Sequence, residues 1–136
     1  MANKEIKTEQ APAAIGPYSQ GISAENIAFV SGQLPIDPAT GEFAGNDIAS
    51  QTRQSLKNVQ AILAENGMTM ADVTKTTVLL ADIAEFAEMN QVYAEFFAEP
   101  FPARAAIASI STFAFFGKAA TSNAARAGNG SAKNSA

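Results

Sequence analysis

Four short stretches of this chain set polar side chains beside residues that stiffen or open the backbone, and each offers a different chemistry. In Gly16-Pro17-Tyr18-Ser19-Gln20 a Gly-Pro turn delivers a phenol and a hydroxyl to the start of a strand, where Tyr18 either faces a ligand or packs at a rim. Phe29-Val30-Ser31-Gly32-Gln33-Leu34 ends a strand on a small hydroxyl residue and a Gly. Backbone N–H groups freed there either bind an anion or belong to a strand-end bulge. Asn90 shares a helical stripe with Phe86, Tyr93 and Phe97, where an unpaired amide costs roughly 1 to 3 kcal/mol. It needs a partner, either a loop carbonyl or a ligand. In Glu99-Pro-Phe-Pro-Ala-Arg104 two prolines fix an extended approach to Arg104, with Ala103 and Ala105 leaving space around it. A partly buried guanidinium in an apolar stretch, with no acid beside it in sequence, wants an anion. A ligand carboxylate offers the bidentate match, and a salt bridge within or between subunits is the other solution.

The residue types that are missing narrow this further. The chain of 136 residues has no Cys, His or Trp. Disulfides, thiolate nucleophiles, Cys-type zinc sites and Ser-His-Asp or Cys-His catalysis are therefore excluded. Any catalysis rests on carboxylates, Arg, Lys, Tyr, Ser, Asn, backbone groups or water, or on an oxygen-ligated ion. The net charge is −4, and every acid lies at or before Glu99. An acidic body argues against a nucleic-acid partner, which needs a clustered basic surface. The polar start Met1-Ala-Asn-Lys-Glu-Ile-Lys7 does not read as a signal peptide, and no apolar run has the roughly 18 residues of a membrane span, so the chain is expected to be cytoplasmic.

The elements that must position these groups follow from local pattern. A short strand is expected around Glu5–Lys7, then a hairpin of Tyr18–Ser23 and Ile27–Ser31 turning at Glu25-Asn26. Asp37-Pro38-Ala39-Thr40-Gly41 is turn chemistry. Ile48, Leu56, Val59, Ile62 and Leu63 recur at helical spacing, with Asn46 or Asp47 as cap and Asn66-Gly67 as stop. Val73–Ala81 is rich in β-branched residues and predicts a strand. Asp82 and Glu85 suggest a capping box for a second helix reaching about Ala98 before Pro100, and a strand from Arg104 to Ile110 follows. Two helices covering one sheet make an α+β, two-layer sandwich of hairpin–α–β–α–β order, and apolar residues on both strand faces imply that a partner subunit covers the other side.

Taken together, Gly16-Pro-Tyr-Ser-Gln20, Phe29-Val-Ser-Gly-Gln33, Lys75-Thr-Thr-Val with Asp82, Phe86, Asn90, Tyr93 and Phe96-Phe97, and Pro102-Ala-Arg104-Ala stand in the order and spacing of the RidA (YjgF/YER057c/UK114) family, which the chain resembles. The resemblance covers residues 4 to about 107. It implies a chorismate-mutase-like fold of the bacillus type and a homotrimer with ligand clefts between subunits. It also implies hydrolysis of reactive 2-imino (enamine) acids to 2-keto acids and ammonia without metal or cofactor. By motif, Arg104 would be the catalytic residue that clamps the substrate carboxylate, Tyr18, Ser31 and Gly32 would line the cleft, and Asn90 would stand in its wall. The other reading it leaves is a non-catalytic trimeric module that binds small carboxylates. RNA cleavage, attributed to some relatives, sits poorly with the acidic body.

The resemblance stops after Ile107. Family members continue into a last strand of Val-Glu-Ile-Glu-Ala-Ile type whose Glu faces the cleft, and this chain has no acid there. Gly117–Ala136 holds seven Ala, three Gly, three Ser and three Asn, and no large apolar residue. The reading is thus a RidA-like domain over 1–107 and a divergent, largely disordered tail over 108–136. The last family strand is expected to be missing, and activity impaired. A shifted reading frame accounts for such a tail, a genuine divergent extension being the alternative: codons for Ala108-Ser-Ile-Ser-Thr-Phe113 read one base later can give Gln-Val-Ser-Leu-Pro, and the nucleotide sequence decides this by whether the shifted frame encodes a Glu-containing strand.

Overall fold

The computed structural model describes residues 2–108 and the backbone of 119–126. Six strands, β1 (Lys4–Ile6), β2 (Gly21–Ala24), β3 (Ile27–Gln33), β4 (Val73–Leu80), β5 (Ala103–Ala108) and β6 (Ala119–Arg126), form one sheet in the order β1-β2-β3-β6-β4-β5. All neighbours are antiparallel except β4 and β5, whose parallel pairing requires the crossover supplied by a helix over Phe86–Phe96. The expected hairpin is present, with Ala24 paired to Ile27 and Glu25 at a φ of 56°. Its first strand begins at Gly21, so Tyr18 belongs to the preceding loop.

Helix α1 (Ile48–Glu65) starts where the sequence put it. The Asp47 carboxylate accepts from Ser50 N at 2.9 Å, and Gly67 with a φ of 69° takes the chain out of the helix. Leu56, Val59, Ile62 and Leu63 face the sheet with no exposed surface. Each contributes about 1.5 to 3 kcal/mol relative to an exposed side chain. Met89, Tyr93 and Phe97 of the second helical segment and Ala28, Val30, Val78 and Leu80 of the strands complete one core between the layers. On the sheet's other face Phe29 (54% exposed) and Ile107 (49% exposed) are uncovered in the single chain.

Three local expectations change. Met70–Asp72 forms a short 3-10 turn that the pattern did not announce, held by Thr69 N donating to the Asp72 carboxylate at 2.8 Å. Asp82 caps a 3-10 turn over Ile83–Glu85 by accepting from Ala84 N at 2.9 Å, and the second helix, α2, runs only from Phe86 to Phe96. The larger correction concerns the end of the chain. The sheet has a final strand after all: β6 lies between β3 and β4, with Ile27 opposite Arg126 and Thr77 opposite Ser122. Backbone pairing on both sides forms a strand there although Thr121 is its one β-branched residue of the kind by which strands are read in sequence. The rest of 109–136, including the end of the strand expected to reach Ile110 and the remainder of the tail expected to be disordered, lies outside the described residues.

Candidate functional site

Arg104 enters from β5, one residue beyond Ala103, and β4 lies alongside with Thr76 in register opposite it. Helix α2 crosses on the same side and presents Phe86, Asn90 and Tyr93 at i, i+4 and i+7, so all three meet the guanidinium. Arg104 Cζ lies 4.8 Å from the Tyr93 ring centroid and 5.3 Å from that of Phe86. One guanidinium N–H donates to Asn90 Oδ1 at 2.6 Å. The sequence placed Asn90 before a loop carbonyl or a ligand; its partner is Arg104. Rather than partly buried, Arg104 is exposed in the single chain, its charge supported by ring faces. Among the described residues the ion pair is Arg53 with Glu95 at 3.1 Å, and no acid pairs with Arg104. Asn90, Tyr93, Ala94, Phe101, Pro102 and Arg104 enclose a cleft of about 420 Å³ that contains no acidic side chain.

Tyr93 is buried and its hydroxyl pairs with Thr76 Oγ1 at 2.8 Å. Burial pushes its phenol above the ordinary value of 10.0, while the Thr76 hydrogen bond and the Arg104 charge oppose that rise. The folded state therefore holds this proton more tightly than the unfolded chain. The associated stability is fully present below pH 10.0 and is lost as pH rises through the folded value. Urea melts across the alkaline range should fall with pH in the native protein and fall less steeply in Tyr93→Phe; parallel curves would contradict this assignment.

Tyr18 and Gly32 meet in a separate place. Gly16, at a φ of 122°, makes the turn that only a residue without Cβ adopts easily, and Tyr18 Oη accepts from Ile15 N at 3.3 Å. The loop is held by Gln20, whose buried amide donates to the carbonyls of Thr8, Ala11 and Pro12 at 3.0, 3.2 and 2.7 Å and accepts from Thr8 N at 2.7 Å. Ser31 donates its hydroxyl to Ser19 O at 2.6 Å, and the pairing of β3 with β6 is irregular between Val30 and Gln33, so the strand-end bulge is present. Tyr18, Gly32, Gln33, Leu34 and Ile36 line a cavity of about 490 Å³. Asn58 of α1, 1% exposed, fixes its far wall by donating to Leu34 O at 3.0 Å and Ile36 O at 2.9 Å.

The five expected site residues thus form two groups. Asn90 and Arg104 share one cleft, while Tyr18, Ser31 and Gly32 gather around β3, three strand positions away and so roughly 14 Å across the sheet. Sequence reasoning placed Phe86 and Tyr93 on the Asn90 stripe without seeing that they carry Arg104, and it missed Thr76, Gln20 and Asn58. The i, i+4, i+7 spacing was the available signal for the first two. Partners far apart in sequence left none for the others.

Residues 8–111 match the family model described as endoribonuclease L-PSP. The chain is 52% identical to a RutC family protein of Pyrococcus abyssi over 107 residues, which is 79% of this chain and 84% of that one. It is 48% identical over 108 residues, 77% of this chain and 84% of the relative, to the 2-iminobutanoate/2-iminopropanoate deaminase of Escherichia coli. Among solved structures, E. coli TdcF with bound serine superposes with a TM-score of 0.85 at 38% identity, covering 92% of this chain and 99% of that one.

Proposed function

The chain belongs to the endoribonuclease L-PSP family, the RidA/YjgF group, and from that premise we propose that it hydrolyses small 2-imino acids to 2-keto acids and ammonia. Its family and the names of its relatives support a RidA-type reactive-intermediate deaminase. The observation that carries the substrate class is Arg104, an exposed cation with no acid partner among the described residues and one N–H committed to Asn90. A guanidinium has five N–H donors in a planar fork, so a carboxylate still finds a bidentate pair.

The reaction asks for positioning more than for strong acids or bases. Protonation on nitrogen makes the 2-imino carbon electrophilic; water adds to it, and the carbinolamine collapses to the ketone as ammonia leaves with the nitrogen. Fixing the carboxylate places that carbon against the cleft wall, and holding both reactants supplies acceleration without a dedicated base. The lining of the Arg104 cleft contains no carboxylate, so proton transfer falls to water or to groups brought from elsewhere.

Tyr18, Ser31 and Gly32 join this site when a second copy supplies them. Their distance from Arg104 within one chain and the uncovered Phe29 and Ile107 favour self-association with clefts between subunits, and the resemblance to the RidA family makes that assembly a homotrimer. No helix among the described residues is long and apolar enough to cross a membrane. Purified protein added to a threonine dehydratase with threonine should speed release of 2-oxobutanoate, and light scattering on the same sample should give three times the 14.1 kDa chain. Unchanged keto-acid release with the trimer intact would overturn the enzymatic reading. Retained binding of 2-oxobutanoate in that case would establish the second one, a carboxylate-binding module, which the acid-free cleft favours.

A further inference from the structure

We propose that Thr76 and Tyr93 are a positioning pair that sets the plane in which Arg104 presents its guanidinium. This deepens the reading of Arg104 as the carboxylate clamp and rests on it for its functional consequence. Thr76 has no exposed surface and lies opposite Arg104 in the parallel β4–β5 ladder, so the two side chains leave the sheet on the same side. The Thr76 hydroxyl meets the Tyr93 hydroxyl at 2.8 Å, and the Tyr93 ring lies 4.8 Å from Arg104 Cζ.

The ring is fixed at both ends. Its hydroxyl is tied to β4, and its face leans on Phe97, 4.5 Å away between centroids and tilted by 36°. A ring held in this way cannot swing out of its plane without breaking a buried hydrogen bond. Phe86 supports the guanidinium as a second ring contact, and Asn90 holds one edge. The remaining N–H groups then point in a set direction. Without the Thr76 bond the same apolar surface remains, but its orientation is no longer defined. An Arg on an exposed strand otherwise samples many rotamers, and fixing one before the ligand arrives raises affinity through preorganisation.

The test separates positioning from clamping. In the unliganded protein, ¹⁵N exchange measurements should show slow rotation about the Arg104 guanidinium bonds. Tyr93→Phe and Thr76→Val should each speed that rotation, whereas Thr76→Ser, which keeps the hydroxyl, should resemble the native protein. With 2-oxobutanoate as probe, the first two variants should bind roughly three- to tenfold more weakly and raise KM with little change in kcat. The chain has two tyrosines, so ¹³C-labelled Tyr93 can be followed directly. A carboxylate seated on Arg104 cancels a charge that lowers the Tyr93 phenol, and the titration should move further upward on binding. Native rotation rates in Tyr93→Phe and Thr76→Val, or equal loss in Thr76→Ser and Thr76→Val, would overturn the positioning role whatever the ligand does. Changed rotation rates with no binding of 2-oxobutanoate to the native protein would uphold it and overturn the clamp.

Discussion

Replacing Arg104 by Ala should weaken 2-oxobutanoate binding by roughly 10- to 150-fold, with kcat/KM for imine hydrolysis falling by at least as much. That range is the roughly 1.5 to 3 kcal/mol of a charge-assisted hydrogen-bonded contact, at about 1.4 kcal/mol per decade. The effect concentrates in one residue because the cleft lined by Asn90, Tyr93, Ala94, Phe101 and Pro102 holds no second cation among the described residues. Arg104→Lys restores the charge but not the planar fork, nor the same stacking on Tyr93 and Phe86, and should recover only part of the loss. Since Arg104 is exposed, its removal should cost about 1 kcal/mol or less in folding, which urea melts can check. Calorimetric titration of the native protein and of the Arg104→Ala variant decides the matter, and equal affinities would place the carboxylate site elsewhere.

The second large effect is on the fold. Asn58 is buried on α1, and its amide hydrogens reach Leu34 O and Ile36 O while its Oδ1 accepts from Gln54 at 2.8 Å. These bonds tie the helix layer to the loop that forms the far wall of the Tyr18 cavity. Asn58→Ala strands two carbonyls and leaves a void, for an expected loss of about 2 to 4 kcal/mol. Asn58→Asp should be worse near neutral pH, because a carboxylate facing two carbonyl oxygens has no hydrogen to give. Its protonated form has one, so the Asp variant should regain stability as pH falls through the raised carboxyl value. Denaturation of both variants at two pH values provides the measurement; a loss below about 0.5 kcal/mol for Asn58→Ala would mean that the loop is held by other contacts.

Much of what these experiments use is readable in the sequence. Arg104 stood out because a cation after two prolines and among alanines has no local acid to satisfy it, and Tyr18 because a Gly-Pro turn aims it. The helix over residues 48–65 was legible because its apolar spacing, its Asp47 cap and its Asn66-Gly67 stop all agree. Local pattern cannot say which distant backbone a buried amide will meet, so the roles of Gln20 and Asn58 were invisible. Nor could it separate Tyr18 from Arg104, since the spacing between β3 and β5 is a property of strand order. β6 fails differently. Ala-Ala-Thr-Ser-Asn-Ala-Ala-Arg carries almost no strand signal of its own, and its place in the sheet comes from two neighbours with free hydrogen-bonding edges.

The central place of β6 also governs the order in which the molecule is made. Strands β1–β3 form one ribbon and β4–β5 another, and among the described residues no backbone ladder joins them except through β6. Residues 119–126 are synthesised after both ribbons, so the β3 and β4 edges stay open until that segment arrives to pair with them. Closing the sheet brings Ile27 to Arg126 and Val73 to Ala125, pairings that span much of the chain and carry the loop-closure cost of non-local contacts. Assembly of this domain is therefore gated by its final segment. The nascent chain is most open to joining its β3 or β4 edge to another molecule in the interval before that segment arrives.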